Sequence, residues 1–286
     1  MNISDKAWCS IDAGRLTIEG RSQAGNETWF RVPELGVSLD IGRCPDVLVG
    51  VPHIFITHAH LDHALGVPVY AGQRRLQRLP PGDVYVPAEA LSDFEELMRV
   101  HERLEGVAYD TNLHGLAPGS VVNVRRDLEV VTHRATHRVT ANAYEFVEIR
   151  HKLRAELSGL SGQELSELRH SGVDPSEEVR RSLLLYTGDT DRGIFEVSPA
   201  LFETDVLVIE CSFISDGHRD RAAEYRHIHF DDVADYAERF ENEWIVLTHF
   251  SRRYSPEEVQ RGIRKRCPEV LRQRIRLALP EPFQRL

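Results

Sequence analysis

"THAHLDHALG", residues 57–66, places His58, His60, Asp62 and His63 within six positions. Buried imidazoles and carboxylates lose their hydration unless something pairs with them, so a folding core gains nothing from such a cluster. The stretch "HIFIT" (53–57) reads as a strand that runs straight into it. On extended backbone His58 and His60 point the same way. The turn that follows can aim Asp62 and His63 at a second centre close by. Neutral imidazole and carboxylate are ligands of Zn²⁺, Mn²⁺ or Fe²⁺, and the absence of a neighbouring Cys argues against a purely structural zinc. One centre cannot easily use four groups from so short a loop. Two cations roughly 3.5–4 Å apart can, and such pairs clamp a displacement at phosphorus or carbon.

Other strand ends offer further ligands. "LLLYTGDT" (183–190) ends a strand with Asp189, a candidate bridge between two cations; Asp191 competes but lies past the turn. "IVLTHFSRRY" (245–254) offers His249, and "VVTHRATHR" (130–138) offers His133 and His137. Singly, each is more often a hydrogen-bonded core or surface residue. Together with "HAHLDH" they repeat one pattern, a ligand at the end of an apolar strand.

The 286 residues suffice for one large domain or two fused halves around a proper core. Hydrophobic residues make up 41% and charged residues 28%, an ordinary globular composition, and no apolar run approaches the ~20 residues of a membrane span. The N-terminus "MNISDKAWCS" lacks a basic region followed by an apolar one, so a cytoplasmic protein is expected. Cys9, Cys44, Cys211 and Cys267 form no CxxC and read as free thiols of a reducing compartment.

The net charge of −10 argues against a simple electrostatic glove for nucleic acid. Residues 252–286, however, hold ten Lys or Arg against four Asp or Glu, a section that could face a phosphate backbone or form a solvated helix.

"TWFRV", "GVSLDI", "LEVVT", "AYEFVEI", "SLLLYT", "DVLVIE" and "WIVLT" read as further strands. Residues 89–104 and 229–240 have helical spacing. "SPEEVQRGIRKR" (255–266) opens a helix with Ser255 as cap, Pro256 at the first position and acids in the first turn. The mixture predicts α/β layers, a β-sandwich flanked by helices. Residues 150–181 interrupt it with six basic and six acidic residues and Ser-Gly breaks, and read as an inserted arm.

The ordered set of "HAHLDH", "TGDT" and "LTHFSRRY", with "NETWFRVPELGVSLDIGRCP" (26–45) and "AAEYRHIHFDDVADYAERFENEWIVLTHFSRRYSPEEV" (222–259), resembles the metallo-β-lactamase superfamily. Within it the chain is similar to the short, plant-type ribonuclease Z family. The resemblance implies an αβ/βα sandwich of two mixed β-sheets flanked by helices. It implies one domain over residues 1–286, with a substrate arm at about 150–181. It implies two divalent cations per subunit, zinc first among Zn²⁺, Mn²⁺ and Fe²⁺. His58, His60 and His137 would hold one cation, Asp62, His63 and His249 the other, and Asp189 would bridge them. His137 is preferred to His133 because the family's histidine precedes a tyrosine by seven residues, here Tyr144; Ala141 and Ala143 stand where the family usually has Ser and Gly. Asp62, Glu210 and His227 match the family's catalytic groups, and His229 is assigned to opening a helix. The implied activity is endonucleolytic removal of the 3′ trailer from precursor tRNA by a homodimer, with no membrane partner. A two-metal hydrolase of a smaller phosphodiester is the alternative, and behind it a lactone or thioester hydrolase on the same fold.

Overall fold

The structure, a computed structural model, describes residues 8–286. Residues 1–7, on which the reading of the N-terminus largely rests, lie outside it. The first sheet runs in chain order through β1 (Cys9–Ala13), β2 (Leu16–Gln23), β3 (Glu27–Val32), β4 (Val37–Leu39), β5 (His53–Phe55), β6 (Gly82–Pro87) and β7 (Thr111–Leu116). The second runs through β8 (Val121–Arg125), β9 (Leu128–Arg134), β10 (Asn142–Leu153), β11 (Ser176–Tyr186), β12 (Val206–Glu210), β13 (Trp244–Thr248) and β14 (Ile275–Leu277). In each sheet the first four strands pair antiparallel and the last four pair parallel. One topology is thus built twice, although no sequence repeat marks it.

Strand periodicity sets the layers. Along β12, Val206 and Val208 face the other sheet while Leu207 and Ile209 face helices. Phe55 of β5 likewise faces inward while Ile54 faces the helices of the first half. Strands covered on both faces are apolar throughout, as parallel strands between layers must be. The helices pack outside: Phe94 and Met98 anchor residues 91–105, and Val259 and Ile263 anchor residues 256–266, each pair four apart on one face. Ser255 caps the latter helix through a reciprocal box with Glu258, and Pro256 stands first, as expected. The helix expected over 229–240 is Phe230–Asp235, followed by a tighter 3₁₀ turn at Ala237–Arg239.

Two kinds of contact, ring packing and hydrogen bonds, fix the strand that leads into "THAHLDH". Phe55 stacks on Tyr85 at 4.4 Å and meets Tyr144 and Phe146 edge-on at 5.2 and 5.3 Å. Burying such a ring contributes on the order of 2–3 kcal/mol. The Tyr144 hydroxyl donates to the Ile56 carbonyl at 2.7 Å, and the Asn142 amide donates to the Thr57 carbonyl at 2.9 Å. The second sheet thereby holds the loop that leaves the first.

Residues 150–181 are a continuation of the sheet. β10 and β11 stay paired from Tyr144–Tyr186 out to Leu153–Ser176, and beyond Ile149 the β10 side chains are exposed. A short helix, Gly162–His170, lies between the two strands, opened by a Ser161–Glu164 capping box.

Candidate metal centre

The seven expected ligands come together where β5, β9, β11 and β13 end, the position at which α/β sheets place ligand sites. After β5 the chain stays extended through His60, and one helical turn, Leu61–Ala64, presents Asp62 and His63. The loop after β11 meets it at Gly188, which has φ +57°. A Cβ at Gly188 would lie 2.5 Å from Thr57 Cβ, so only glycine lets the two loops approach. After β13, His249 itself takes φ +57°, with its amide donating to Ser22 Oγ at 3.0 Å. Left-handed backbone at a non-glycine residue is the kind of strain that collects at functional sites.

The ligand atoms form three groups: His58, His60, His137 and Asp189 make the first, Asp62, His63 and His249 the second, and a third, of Asp189, His227 and His249, links them. His60 Nδ1 lies 3.0 Å from His58 Nε2 and 3.4 Å from His137 Nε2. His63 Nε2 and His249 Nε2 are 3.4 Å apart, and Asp62 Oδ2 is 3.7 and 3.5 Å from them. Asp189 turns Oδ2 toward His58 at 3.8 Å and Oδ1 toward both His63 and His249 at 3.3 Å. Ligands about 2.0–2.2 Å from a common cation lie roughly 3–4 Å from one another, so the spacing suits a shared ion at each group.

Hydrogen bonds on the far side of each ring decide which nitrogen faces inward. The Thr57 hydroxyl donates to Asp40 and so accepts from His58 Nδ1 at 3.0 Å. His63 Nδ1 donates to Asp40 Oδ2 at 2.7 Å, and His137 Nδ1 to the Arg226 carbonyl at 3.1 Å. Ser212 donates to Glu210 and accepts from His249 Nδ1 at 3.0 Å. Each of these four rings therefore presents an Nε2 lone pair to the centre, the arrangement that oriented metal ligands require. Buried Asp189 Oδ1 has no hydrogen-bond donor of its own. These residues fit divalent cations.

Electrostatics agree. Burial and the neighbouring His63 hold His58 well below the ordinary histidine value, in the neutral form that ligates. Burial opposes a charge on His63, but Asp189 and Asp40 outweigh it and raise His63 well above that value; the site favours positive charge. Burial alone would raise Asp62, yet its bond to His249 and the charge of His63 bring it down to about 2.

Glu210 and His227 stand beside the second group. His227 Nδ1 donates to Glu210 Oε1 at 2.8 Å, and Glu210, almost fully buried, also accepts from the Thr190 amide and the Ser212 hydroxyl. Burial works against a charged His227, but the Glu210 carboxylate outweighs it and pushes His227 up to about 9. The His227 ring is 5.5 Å from that of His137 and 5.4 Å from that of His249.

The competing residues lie elsewhere. His133 sits on β9 bonded to Glu145 at 2.7 Å. His229 caps Phe230–Asp235, its Nδ1 accepting from the Asp231 amide and its Nε2 donating to Ser215. Asp191 binds Arg226 at 2.7 Å and the Gly193 amide at 2.8 Å.

A Beta-lactamase superfamily domain model matches residues 38–250. The chain is 35% identical to tRNase Z TRZ1 of Arabidopsis thaliana over 269 residues, covering 93% of this chain and 95% of that one. The chain belongs to the ribonuclease Z family. A nuclear ribonuclease Z of Triticum aestivum is 36% identical over 174 residues, 61% of this chain and 99% of that one. Among solved structures, human tRNase Z, short form, shares the fold of this ribonuclease Z family member with a TM-score of 0.57 at 18% identity, covering 96% of this chain and 95% of that one.

The sequence reading of this family member overlooked Asp40. Its carboxylate is fully buried and accepts from the Thr57 amide and hydroxyl, His63 and the Tyr186 hydroxyl. The signal was the one used for Asp189, an acid ending an apolar strand, in "GVSLDIG". Gly25 was also missed: its amide, in the turn between β2 and β3, donates to Asp62 Oδ2 at 2.8 Å. No sequence feature announces that contact.

Proposed function

We propose that this chain is a metal-dependent endoribonuclease that removes the 3′ trailer of precursor tRNA, leaving a tRNA 3′-OH. The observation that carries the reading is the Glu210–His227 pair set beside two ligand groups that share Asp189. His58, His60 and His137 would hold one divalent cation, and Asp62, His63 and His249 the other, with Asp189 between them; zinc is our choice of metal. When bound, such a pair neutralises the phosphodiester's anionic oxygens and acidifies the attacking water. Asp62 accepts that water's proton. His227 is held by Glu210 with its Nε2 free, and gives a proton to the departing ribose 3′ oxygen. The four buried free thiols support a reducing compartment. Among the described residues no helix is long and apolar enough to cross a membrane.

Assays on precursor tRNA, bis-p-nitrophenyl phosphate and a lactone test the reading. Cleavage of the precursor at one 3′ position is expected. Turnover of the small diester with an intact precursor would favour the smaller-phosphodiester alternative.

The hairpin at 150–181 is our candidate for the RNA-gripping arm, although its charges balance. Removing residues 152–178 is expected to raise KM for precursor tRNA on the order of tenfold, about 1.4 kcal/mol of binding. Hydrolysis of bis-p-nitrophenyl phosphate should persist, because every ligand lies outside the hairpin. Equal losses on both substrates would make the arm structural. The same reading includes a homodimer in which one subunit's arm serves the other's site; a sedimentation mass of a single chain would remove that part.

A further inference from the structure

Beside His227 opens a cleft of about 650 Å³ whose walls include Arg226, Asp191, Arg192 and Tyr236. Pockets of this size accept drug- or nucleotide-sized ligands. Its place relative to the reaction is fixed by the proposed function, on which this inference rests. If His227 protonates the leaving 3′ oxygen, the nucleotide that owns that oxygen lies on the His227 side of the scissile phosphate. The cleft is on that side.

Arg226 is the unusual residue in its wall. It ends the helix Arg219–Tyr225 in left-handed backbone, with φ +60°. Glycine is the favoured residue there, because a Cβ costs stability in that conformation. Nothing the backbone does requires arginine: the Arg226 carbonyl that accepts from His137 Nδ1 would be present in any residue. The side chain makes one ion pair, through Nη1 to Asp191 at 2.7 Å, and remains 57% exposed. Such a pair returns little stability. Arg192 and Arg219, the other arginines of the cleft, are each shared by Asp232 and Asp235. Arg192 meets both of its carboxylates through Nη1 and Arg219 through Nε and Nη2, whereas Arg226 is the one of the three held by a single carboxylate, and its remaining planar fork of donors suits a phosphate.

We propose that Arg226 is a positioning residue that holds the phosphate immediately upstream of the scissile one, the 5′-phosphate of the nucleotide whose 3′ oxygen leaves. Asp191 holds the guanidinium by one nitrogen, so the remaining donors turn to the RNA. The backbone strain is retained for this contact.

The test is a cycle between protein and RNA. Arg226→Gly and Arg226→Gln are each compared with wild type on precursor tRNA and on a precursor whose single upstream linkage is a neutral methylphosphonate. Both variants are expected to raise KM about tenfold, with kcat within about threefold, and to lower the slope of log KM against log salt by about 0.7–0.9. The methylphosphonate should cost wild type about the same in KM and the variants less than about twofold more, since partners in one contact are not additive. Arg226→Lys should keep the salt slope. The melting temperature of Arg226→Gly should exceed that of Arg226→Gln, which reports the strain and shows that the variants fold. Additive losses from the variant and the methylphosphonate would overturn the assignment of Arg226 alone. An uncut precursor with the wild-type enzyme would overturn the function reading and this inference with it.

Discussion

Asp189→Ala is expected to lose bound metal and activity together, while His133→Ala keeps both. Asp189 is the one carboxylate whose two oxygens face different ligand groups, Oδ2 toward His58 and Oδ1 toward His63 and His249. Burial would push its pKa up, but the charges of His249 and His63 hold it well below the ordinary carboxylate range. It is therefore an anion enclosed by imidazoles. Without it, cations held by the two groups would lose the negative charge that Asp189 supplies, and their mutual repulsion would act across a poorly hydrated site. Losing several kcal/mol of charge stabilisation corresponds to roughly 10³-fold or more in rate. Elemental analysis gives the readout independent of rate and also names the metal. A fully loaded Asp189→Ala protein would end the bridging role. An emptied His133→Ala protein would reverse the choice of His137, although the structure gives His133 a partner, Glu145, outside both groups.

The strands that carry ligands were legible because their burial on both faces demands unbroken apolar runs. "SLLLYT", "DVLVIE" and "WIVLT" are such runs, and each ends where a site residue begins. The reading missed β1, β2, β6, β7, β8 and β14; β1 and β6 carry legible patterns, but in others the sequence does not report burial. In β2 the buried positions are Leu16, Ile18, Gly20 and Ser22, so the alternation fades where the strand nears the site. There Gly20 is set by packing, since a Cβ would fall 2.2 Å from the Trp29 carbonyl oxygen. β14 is three residues long, and β8 buries no residue fully. The arm was visible as a break in pattern, but its pairing was not, because charged residues on an exposed two-stranded ribbon carry no period that burial would impose.

The ligands were legible for a related reason. His58, His60, Asp62 and His63 are close in sequence, His249 follows β13 directly, and Asp189 comes three residues after β11. Asp40 obeys the same rule and was passed over because "LDIG" also reads as an ordinary strand end. What sequence cannot supply is the far side of each ring. Ser212 and the Arg226 carbonyl are contacts made by segments remote in the chain from His249 and His137, and they choose the tautomers of those rings.

His227→Ala is expected to cut RNA cleavage by about 10²–10⁴-fold, the usual worth of a general acid, while turnover of bis-p-nitrophenyl phosphate falls little. The difference lies in the leaving groups. A ribose hydroxyl is a weak acid and must be protonated as it departs. A p-nitrophenolate is already a stable anion near neutral pH and gains little from a proton. Burial opposes a charge on His227, but the Glu210 carboxylate outweighs it and pushes the pKa up to about 9, so Glu210 favours the protonated ring. Glu210→Gln should show the same split more mildly, since the imidazole remains but loses the charge that holds its proton. It should also perturb Thr190 and Ser212, whose amide and hydroxyl bond Glu210, so metal content is measured alongside. His229→Ala should show no split, because that ring caps a helix and bonds Ser215. If His227→Ala depresses both substrates equally with both metals retained, then His227 binds the phosphoryl oxygens or shapes the site, and the proton reaches the leaving oxygen from elsewhere.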